Sequence, residues 1–376
     1  MSTSGDPMDG TIEPFLLERY FARYEFAVPY LLCASDCETV TVDELLAIED
    51  GARDGLYSLR LGYVESNGSP ALREAIAATY DGVSPDEVVA FAGAEEAIYA
   101  FMRAVLRPGD RAAVHVPCYQ SLESVARAQG CAVDRWEAVE EDGWAPSLRA
   151  LERTLTPQTR AIVVNTPHNP TGFAFDERGL RELARTADER GIVLFCDEVY
   201  RRLELDVPTP PAACELSRSA VSLGVLSKAY GLAGLRIGWI ATHNEPVRRA
   251  VAAYKDYLSI CNGAPSEYLA TIALRNGDAL LRRNRDLARR NRALLDAFFA
   301  RRPDRFSWTR PKAGPIGFAR VHGEEGAQAL CDRLARDAGV LLLPSGCYGH
   351  GDRHVRVGYG RSNFPEALAK LEAALA

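Results

Sequence analysis

The stretch Val225-Leu-Ser-Lys-Ala-Tyr-Gly-Leu-Ala-Gly-Leu-Arg-Ile-Gly-Trp239 decides the fold. Its lysine, Lys228, follows an apolar run from Ala220 to Leu226, and a glycine-punctuated segment then leads to Arg236. At the end of a buried strand, desolvation disfavours an ammonium and lowers its pKa. A neutral amine at pH 7 is what imine formation with an aldehyde requires. Arg236, eight residues further on, offers a fork suited to a phosphate. The bland alternative is a surface lysine with a structural arginine nearby, and the surrounding segments decide between the two.

Outward from this stretch, β-rich runs alternate with helical patterns. Strands are predicted at Val88–Phe91, Arg111–Val116, Ala161–Val164, Ile192–Cys196, Ala220–Leu226 and Ile237–Ala241, and helices over 94–106, 119–129 and 177–190. Such alternation predicts a mainly parallel sheet covered on both faces. Ligands gather at the carboxyl ends of the strands in sheets of this kind. Upstream, residues 1–10 are expected to be mobile, Pro14–Tyr24 an amphipathic helix, and Tyr30–Ala34 a short strand. Thr41 and Glu44 form a capping box for a helix Val42–Ile48. Downstream, 246–301 is helical with a break near Asn262-Gly-Ala-Pro265. Ile316–Val321, Glu325–Asp337, Val340–Leu343, His354–Gly358 and Pro365–Leu375 then predict a smaller α/β unit.

Other polar segments fall at the predicted strand ends. Asn165-Thr-Pro-His-Asn-Pro-Thr-Gly172 is a rigid turn that offers Asn169 as a donor to a cofactor oxygen. Asp197, in Asp197-Glu-Val-Tyr200, places a carboxylate at a buried strand end, where it needs a cation or several donors. A protonated pyridine nitrogen is such a cation, and keeping it protonated makes the ring an electron sink. Tyr200 could share the cofactor oxygen with Asn169. Gly93-Ala-Glu95 opens a helix, where free N–H groups and the dipole suit a phosphate. Tyr119 could stack on a planar ring. Together with Lys228 and Arg236 these residues point to pyridoxal 5'-phosphate. Arg356, inside a late strand, is either a surface charge or a bidentate carboxylate anchor, and its company favours the anchor. Cys347, His350 and His354 resemble half a zinc site, but no second ligand pair stands nearby and no metal is expected.

Composition is that of an ordinary globular enzyme: 376 residues, 47% hydrophobic, 25% charged and a net charge of -7. No basic stripe suggests a nucleic-acid partner, and no apolar segment reaches membrane-spanning length. The start, MSTSGDPMDG, does not read as a signal peptide. Nine scattered cysteines read as reduced core residues of a cytoplasmic protein. Dinucleotide, P-loop and nucleophile-elbow motifs do not occur.

The Lys228 stretch, Asn165–Gly172, Asp197-x-x-Tyr200 and the Tyr63…Gly68-x-x-x-Leu-Arg73 spacing resemble the class I/II aminotransferases of PLP fold type I. The resemblance implies an aspartate-aminotransferase-like large domain and a smaller α/β domain, in a homodimer with active sites at the subunit interface. The domains expected are an N-terminal arm with part of the small domain (1–40), a large PLP-binding domain (41–265) and a small C-terminal domain (266–376). By position, Lys228 would be the Schiff-base lysine and proton shuttle, and Asp197 the partner of the pyridine nitrogen. Asn169 and Tyr200 would hold the ring oxygen, and Tyr119 would stack on the ring. Arg236, Ser227 and the backbone of Gly93, Ala94 and Glu95 would hold the phosphate, with Tyr63 reaching in from the other subunit. Arg356 would grip the substrate carboxylate, with Asn169, Ser35 and Asp36 beside the substrate.

Two departures stand out. Val225 occupies a position where the family commonly has a phosphate-binding Ser or Thr, and Ala34-Ser-Asp-Cys-Glu38 replaces a Gly-containing substrate loop. Should Asp36 and Glu38 line the pocket, a cationic or polar substrate side chain is expected. The wording around Lys228, Pro117-x-Tyr-Gln-Ser-Leu and Asn291-Arg-Ala-Leu-Leu looks most like the capreomycidine-synthase-type branch of actinobacterial secondary metabolism. The expected function is an aminotransferase acting on an amino acid. The alternative is a PLP-dependent lyase or cyclase acting on a modified amino acid, and both reactions use the same residues. A non-catalytic binding protein on the same fold is disfavoured by the presence of Lys228 and Asp197.

Overall fold

The structure, a computed structural model, describes residues 12–375. The expectation for residues 1–10 lies outside these. Seven strands, β1 (Val88–Phe91), β2 (Arg111–Val116), β3 (Ala132–Glu137), β4 (Thr159–Asn165), β5 (Val193–Asp197), β6 (Val221–Val225) and β7 (Gly238–Ala241), form one sheet in the order β1-β7-β6-β5-β4-β2-β3. Strands β6, β5, β4, β2 and β3 pair in parallel, and β7 runs antiparallel to both β6 and β1.

The central strands are apolar through their middles because each face meets its own core. Along β4, Ala161 and Val163 enter one core while Ile162 and Val164 enter the other. This is the two-residue alternation of a strand with helices on both sides. Helices Ala94–Val105 and Glu245–Lys255 pack together over one face. Helix Glu177–Glu189 lies against β5 on the other face.

The direction of these strands positions the site. β1, β2, β4, β5 and β6 run the same way, so Gly93, Pro117, Asn165, Asp197 and Ser227 emerge at one edge of the sheet. Asn165 and Asp197 are register partners.

A second, antiparallel sheet has the order β10-β11-β9-β8, formed by β8 (Phe306–Trp308), β9 (Ile316–Val321), β10 (Leu343–Pro344) and β11 (His354–Gly358). Helices Ala327–Ala338 and Phe364–Ala374 pack together beside it. The 24-residue helix Gly277–Ala300 leads into this sheet.

The predicted strands of the large sheet are present within two residues at each end, and the Thr41–Glu44 capping box forms. β3 went unread because it is an edge strand carrying Asp134 and Arg135, with only Trp136 buried. The short β8 was also missed. Tyr30–Ala34 is not a strand: Tyr30 makes one bridge to Val340, and the Leu32 carbonyl accepts the Gly358 N–H at 2.7 Å. The chain there is held by individual hydrogen bonds to β11 and to Gly339 and Leu341 ahead of β10, and no ladder forms.

Candidate active site

At the carboxyl edge of the large sheet lies a cavity of about 270 Å³. Lys228, Asp197, Tyr200, Asn169, Tyr119, Ala94, Glu95, Ser227, Arg236, Ser35 and Arg356 all line it. These residues come from five strand ends, the N-terminal segment and β11, so the fold assembles what the sequence scatters.

Lys228 is half-buried, and its amine donates to the Ser35 hydroxyl at 2.9 Å. Burial lowers its pKa; Asp36 and Asp197 oppose the shift, while Arg356 and Arg236 add to it. Asp197 ends β5 with its carboxylate buried and, among the described residues, accepts a single hydrogen bond, from the Val199 N–H at 3.2 Å. Burial pushes its pKa up to about 7, with the Val199 N–H and Lys228 pulling the other way. A buried carboxylate so poorly satisfied calls for a cation beside it.

The turn after β4 orients Asn169. Asn165 donates to the Asp197 carbonyl at 2.9 Å, and its own oxygen accepts the Asn169 N–H at 2.6 Å. The Asn169 side-chain oxygen accepts from the Tyr348 hydroxyl at 2.9 Å and from Arg356 at 3.2 Å. Its amide nitrogen is thereby left as a donor. The Tyr200 hydroxyl is buried with no hydrogen-bond partner among the described residues.

One side of the cavity is bordered by a helix N-terminus together with Ser227 and Arg236. Gly93 caps helix Ala94–Val105 without a side-chain hydrogen bond, so the first N–H groups of the helix stay free. Its φ of +92° favours glycine, and a Cβ there would push the Arg236 guanidinium aside, meeting Nη2 at 2.3 Å. Arg236 itself adopts φ +53° and donates to the Ala233 carbonyl at 3.2 Å. Ser227 Oγ is 3.4 Å from Arg236 Nη1. Val225 lines the same region and offers no hydrogen bond. Glu95 also borders it, and burial pushes its carboxyl up to about 7.

Arg356 is 1% exposed. It donates to the Cys33 carbonyl from Nε at 3.0 Å and Nη2 at 2.6 Å, and to the Tyr348 hydroxyl at 2.6 Å. Phe21 lies 5.9 Å from the guanidinium carbon, ring centroid to atom. No carboxylate pairs with this buried cation among the described residues, so the site is ready for an anion.

Two sequence expectations for the substrate region are not met. Asp36 does not line the cavity; its two oxygens are held by Arg361 Nη2, both at 2.8 Å. Glu38 is likewise engaged, by the Ser362 N–H at 2.7 Å and hydroxyl at 2.6 Å. Tyr63 is 94% exposed and stands outside the cavity of its own chain. His354 faces Glu140 at 3.1 Å.

Several lining residues were not singled out for the site from sequence. Leu17, Glu18 and Phe21 of helix Leu16–Tyr24 border the cavity, and Phe15 packs on Tyr119 with ring centroids 5.0 Å apart. Amphipathic spacing marked this helix but gave no hint of what it covers. Tyr348, beside the Cys347–His354 group weighed as a metal site, is buried against Arg356.

The donor set fits pyridoxal phosphate: a free helix N-terminus and Arg236 for the phosphate, Asp197 for a pyridinium, the orphaned Tyr200 hydroxyl for a ring oxygen, and the half-buried amine of Lys228. Comparison with known proteins agrees. The family description "Aminotransferase class I and II" matches residues 31–371. Capreomycidine synthase of Streptomyces vinaceus is 33% identical over 370 residues, covering 97% of this chain and 93% of that one. A PLP-dependent aminotransferase from Streptococcus suis superposes with a TM-score of 0.92 at 30% identity, covering 97% and 98% of the two chains. The PLP-dependent cyclase OrfR superposes with a TM-score of 0.88 at 28% identity, covering 99% and 98%.

Proposed function

The chain belongs to the class I and II aminotransferase family, whose cofactor is pyridoxal 5'-phosphate, and we propose that it transfers the amino group of an amino acid. One observation carries this reading: the amine of Lys228, the carboxylate of Asp197 and the unpaired guanidinium of Arg356 border one cavity. When bound, the cofactor supplies an aldehyde for the amine and a conjugated ring that takes up an electron pair.

The chain's own residues do the rest. Lys228, its pKa lowered by desolvation, removes the substrate α-proton and returns one. Asp197 would keep a proton on the ring nitrogen. Asn169, held by Asn165 and Tyr348, and Tyr200 would share the ring oxygen, and Tyr119 would stack on the ring. Gly93, Ala94, Glu95, Ser227 and Arg236 would hold the phosphate. Arg356 anchors the substrate carboxylate with its charge and its one remaining N–H, on Nη2.

Glu18 refines the substrate. It borders the cavity with no ion-pair partner among the described residues, whereas Asp36 and Glu38 are engaged elsewhere. Such a carboxylate suits an amino acid with a cationic side chain, which replaces the expectation placed on Asp36. The subunits pair as a homodimer in the cytoplasm. Tyr57, Leu61, Tyr63, Tyr257 and Ile260 are large apolar side chains left exposed and available to a second copy, and all nine cysteines are unpaired.

A panel of amino acids mixed with the holoenzyme tests the reading. Conversion of the cofactor absorbance from its aldehyde to its amine form, with a keto acid released, supports amino transfer. A second reading, elimination or cyclisation, is favoured by the capreomycidine synthase and OrfR likenesses. It requires instead a leaving group released or a cyclised product, with the cofactor returned unchanged.

A further inference from the structure

The loop that carries Tyr63 is anchored by a lysine that the reaction does not use. Lys255, last residue of helix Glu245–Lys255, is 0% exposed. Its ammonium donates to the Ser66 carbonyl and lies 5.9 Å from the centroid of Phe91 in β1. The loop is tied at neighbouring points as well. The Ser66 hydroxyl donates to Asp256 at 2.9 Å, the Asn67 carbonyl accepts the Ala90 N–H of β1 at 3.0 Å, and Glu267 accepts the Ser69 N–H at 2.8 Å.

The other end of this connection is the phosphate cradle. Glu96, in the first turn of helix Ala94–Val105, accepts the Ser259 N–H at 2.9 Å. Ser259 sits in the turn whose Leu258 and Ile260 N–H groups both donate to the Lys255 carbonyl, at 2.9 and 3.1 Å. An unbroken run of contacts therefore links the cradle to Glu96, the turn after Lys255, Lys255 itself, Ser66 and the base of the Tyr63 loop. A buried amine is a poor choice for stability alone, because an apolar side chain would pack there without desolvation cost. Its use lies in fixing one acceptor at one place.

We propose that Lys255 is a positioning residue: with Glu96 it fixes the Tyr63 loop to the subunit's own phosphate cradle, so that each subunit presents Tyr63 correctly to its partner. The proposal rests on the shared-site reading above and adds a residue outside the cavity to it.

Heterodimers built from two differently tagged chains test this. One chain carries Lys228→Ala, so only the other gives the absorbance of lysine-bound cofactor, and pyridoxal phosphate is titrated against that signal. With Lys255→Met on the Lys228→Ala chain, the dissociation constant at the intact site should rise about tenfold, the loss of roughly one good hydrogen bond. With Lys255→Met on the chain holding the intact site, it should stay near the unsubstituted value. An effect confined to the chain that carries the substitution, an equal effect in both arrangements, or no effect overturns the proposal. Tyr63→Phe in the same two arrangements reports on the shared site separately. No effect in trans there overturns the shared site and the proposal with it; a trans effect there but none for Lys255→Met overturns the proposal alone. Should Lys255→Met fail to fold, Glu96→Gln takes its place with the same expected and overturning outcomes.

Discussion

Lys228 and Ser35, 193 residues apart in the chain, are joined by a 2.9 Å hydrogen bond from the amine to the hydroxyl. The bond ties the strand-end lysine to the N-terminal segment and aims its nitrogen into the cavity. Ser35→Ala removes this guide and leaves the other lining groups in place. We expect retained cofactor absorbance and a fall in kcat of about tenfold, the order of one hydrogen bond. Stopped-flow measurement of the cofactor spectrum would show it, and an unchanged kcat would remove Ser35 from the mechanism.

Asp197 makes a pH prediction for the cofactor-free protein. Its folded pKa, about 7, lies above its ordinary value of 3.8. Its contribution to stability is therefore fully present below the unfolded pKa, falls as pH rises between these values, and is lost above about 7. Urea midpoints of the apo protein and apo Asp197→Asn should converge in acid and separate above neutrality, with the variant the more stable. In the holoenzyme the same substitution should lower kcat by a hundredfold or more, on the order of a general acid–base contribution.

Arg356→Lys keeps the charge and loses the planar fork. The lysine cannot serve both the Cys33 carbonyl and a carboxylate in the same geometry. KM for the amino acid should rise on the order of thirtyfold, about 2 kcal/mol for a charge-assisted pair, with cofactor affinity unchanged. Parallel steady-state kinetics and cofactor titration separate the two.

Glu18→Gln tests substrate charge. KM should rise severalfold for amino acids with cationic side chains and stay constant for neutral ones of similar length, as expected for a partly exposed charge contact. Equal changes for both classes would remove Glu18 from recognition.

His115 and His168 stack with centroids 4.1 Å apart, both buried, and neither His115 nitrogen has a partner among the described residues. Burial depresses both, His168 to about 3 against an ordinary 6.5 and His115 well below it. Folded-state pKa values this low mean that stability is present above pH 6.5 and declines as acid protonates the unfolded chain. His115→Leu, which removes two unsatisfied nitrogens, should flatten that decline between pH 6.5 and 5, read from urea midpoints.

The large sheet and the residues at its strand ends were legible because their signals are local. An apolar run ending in Lys228, Asp197 or Asn165 encodes a buried strand and the polar turn after it, and parallel strands bring such ends to one edge. β3 and β8 escaped because an edge or very short strand buries too little to leave a pattern. Which distant groups meet those strand ends was settled only by packing. Asp36 and Glu18 both read as carboxylates near the N-terminus, yet one is taken by Arg361 and the other borders the cavity. Tyr348 reaches Asn169 across 179 residues. Periodicity reports how a segment meets water and core; which opposite charge or hydroxyl a side chain finds depends on how separate segments stack, and that information exists only in the folded chain.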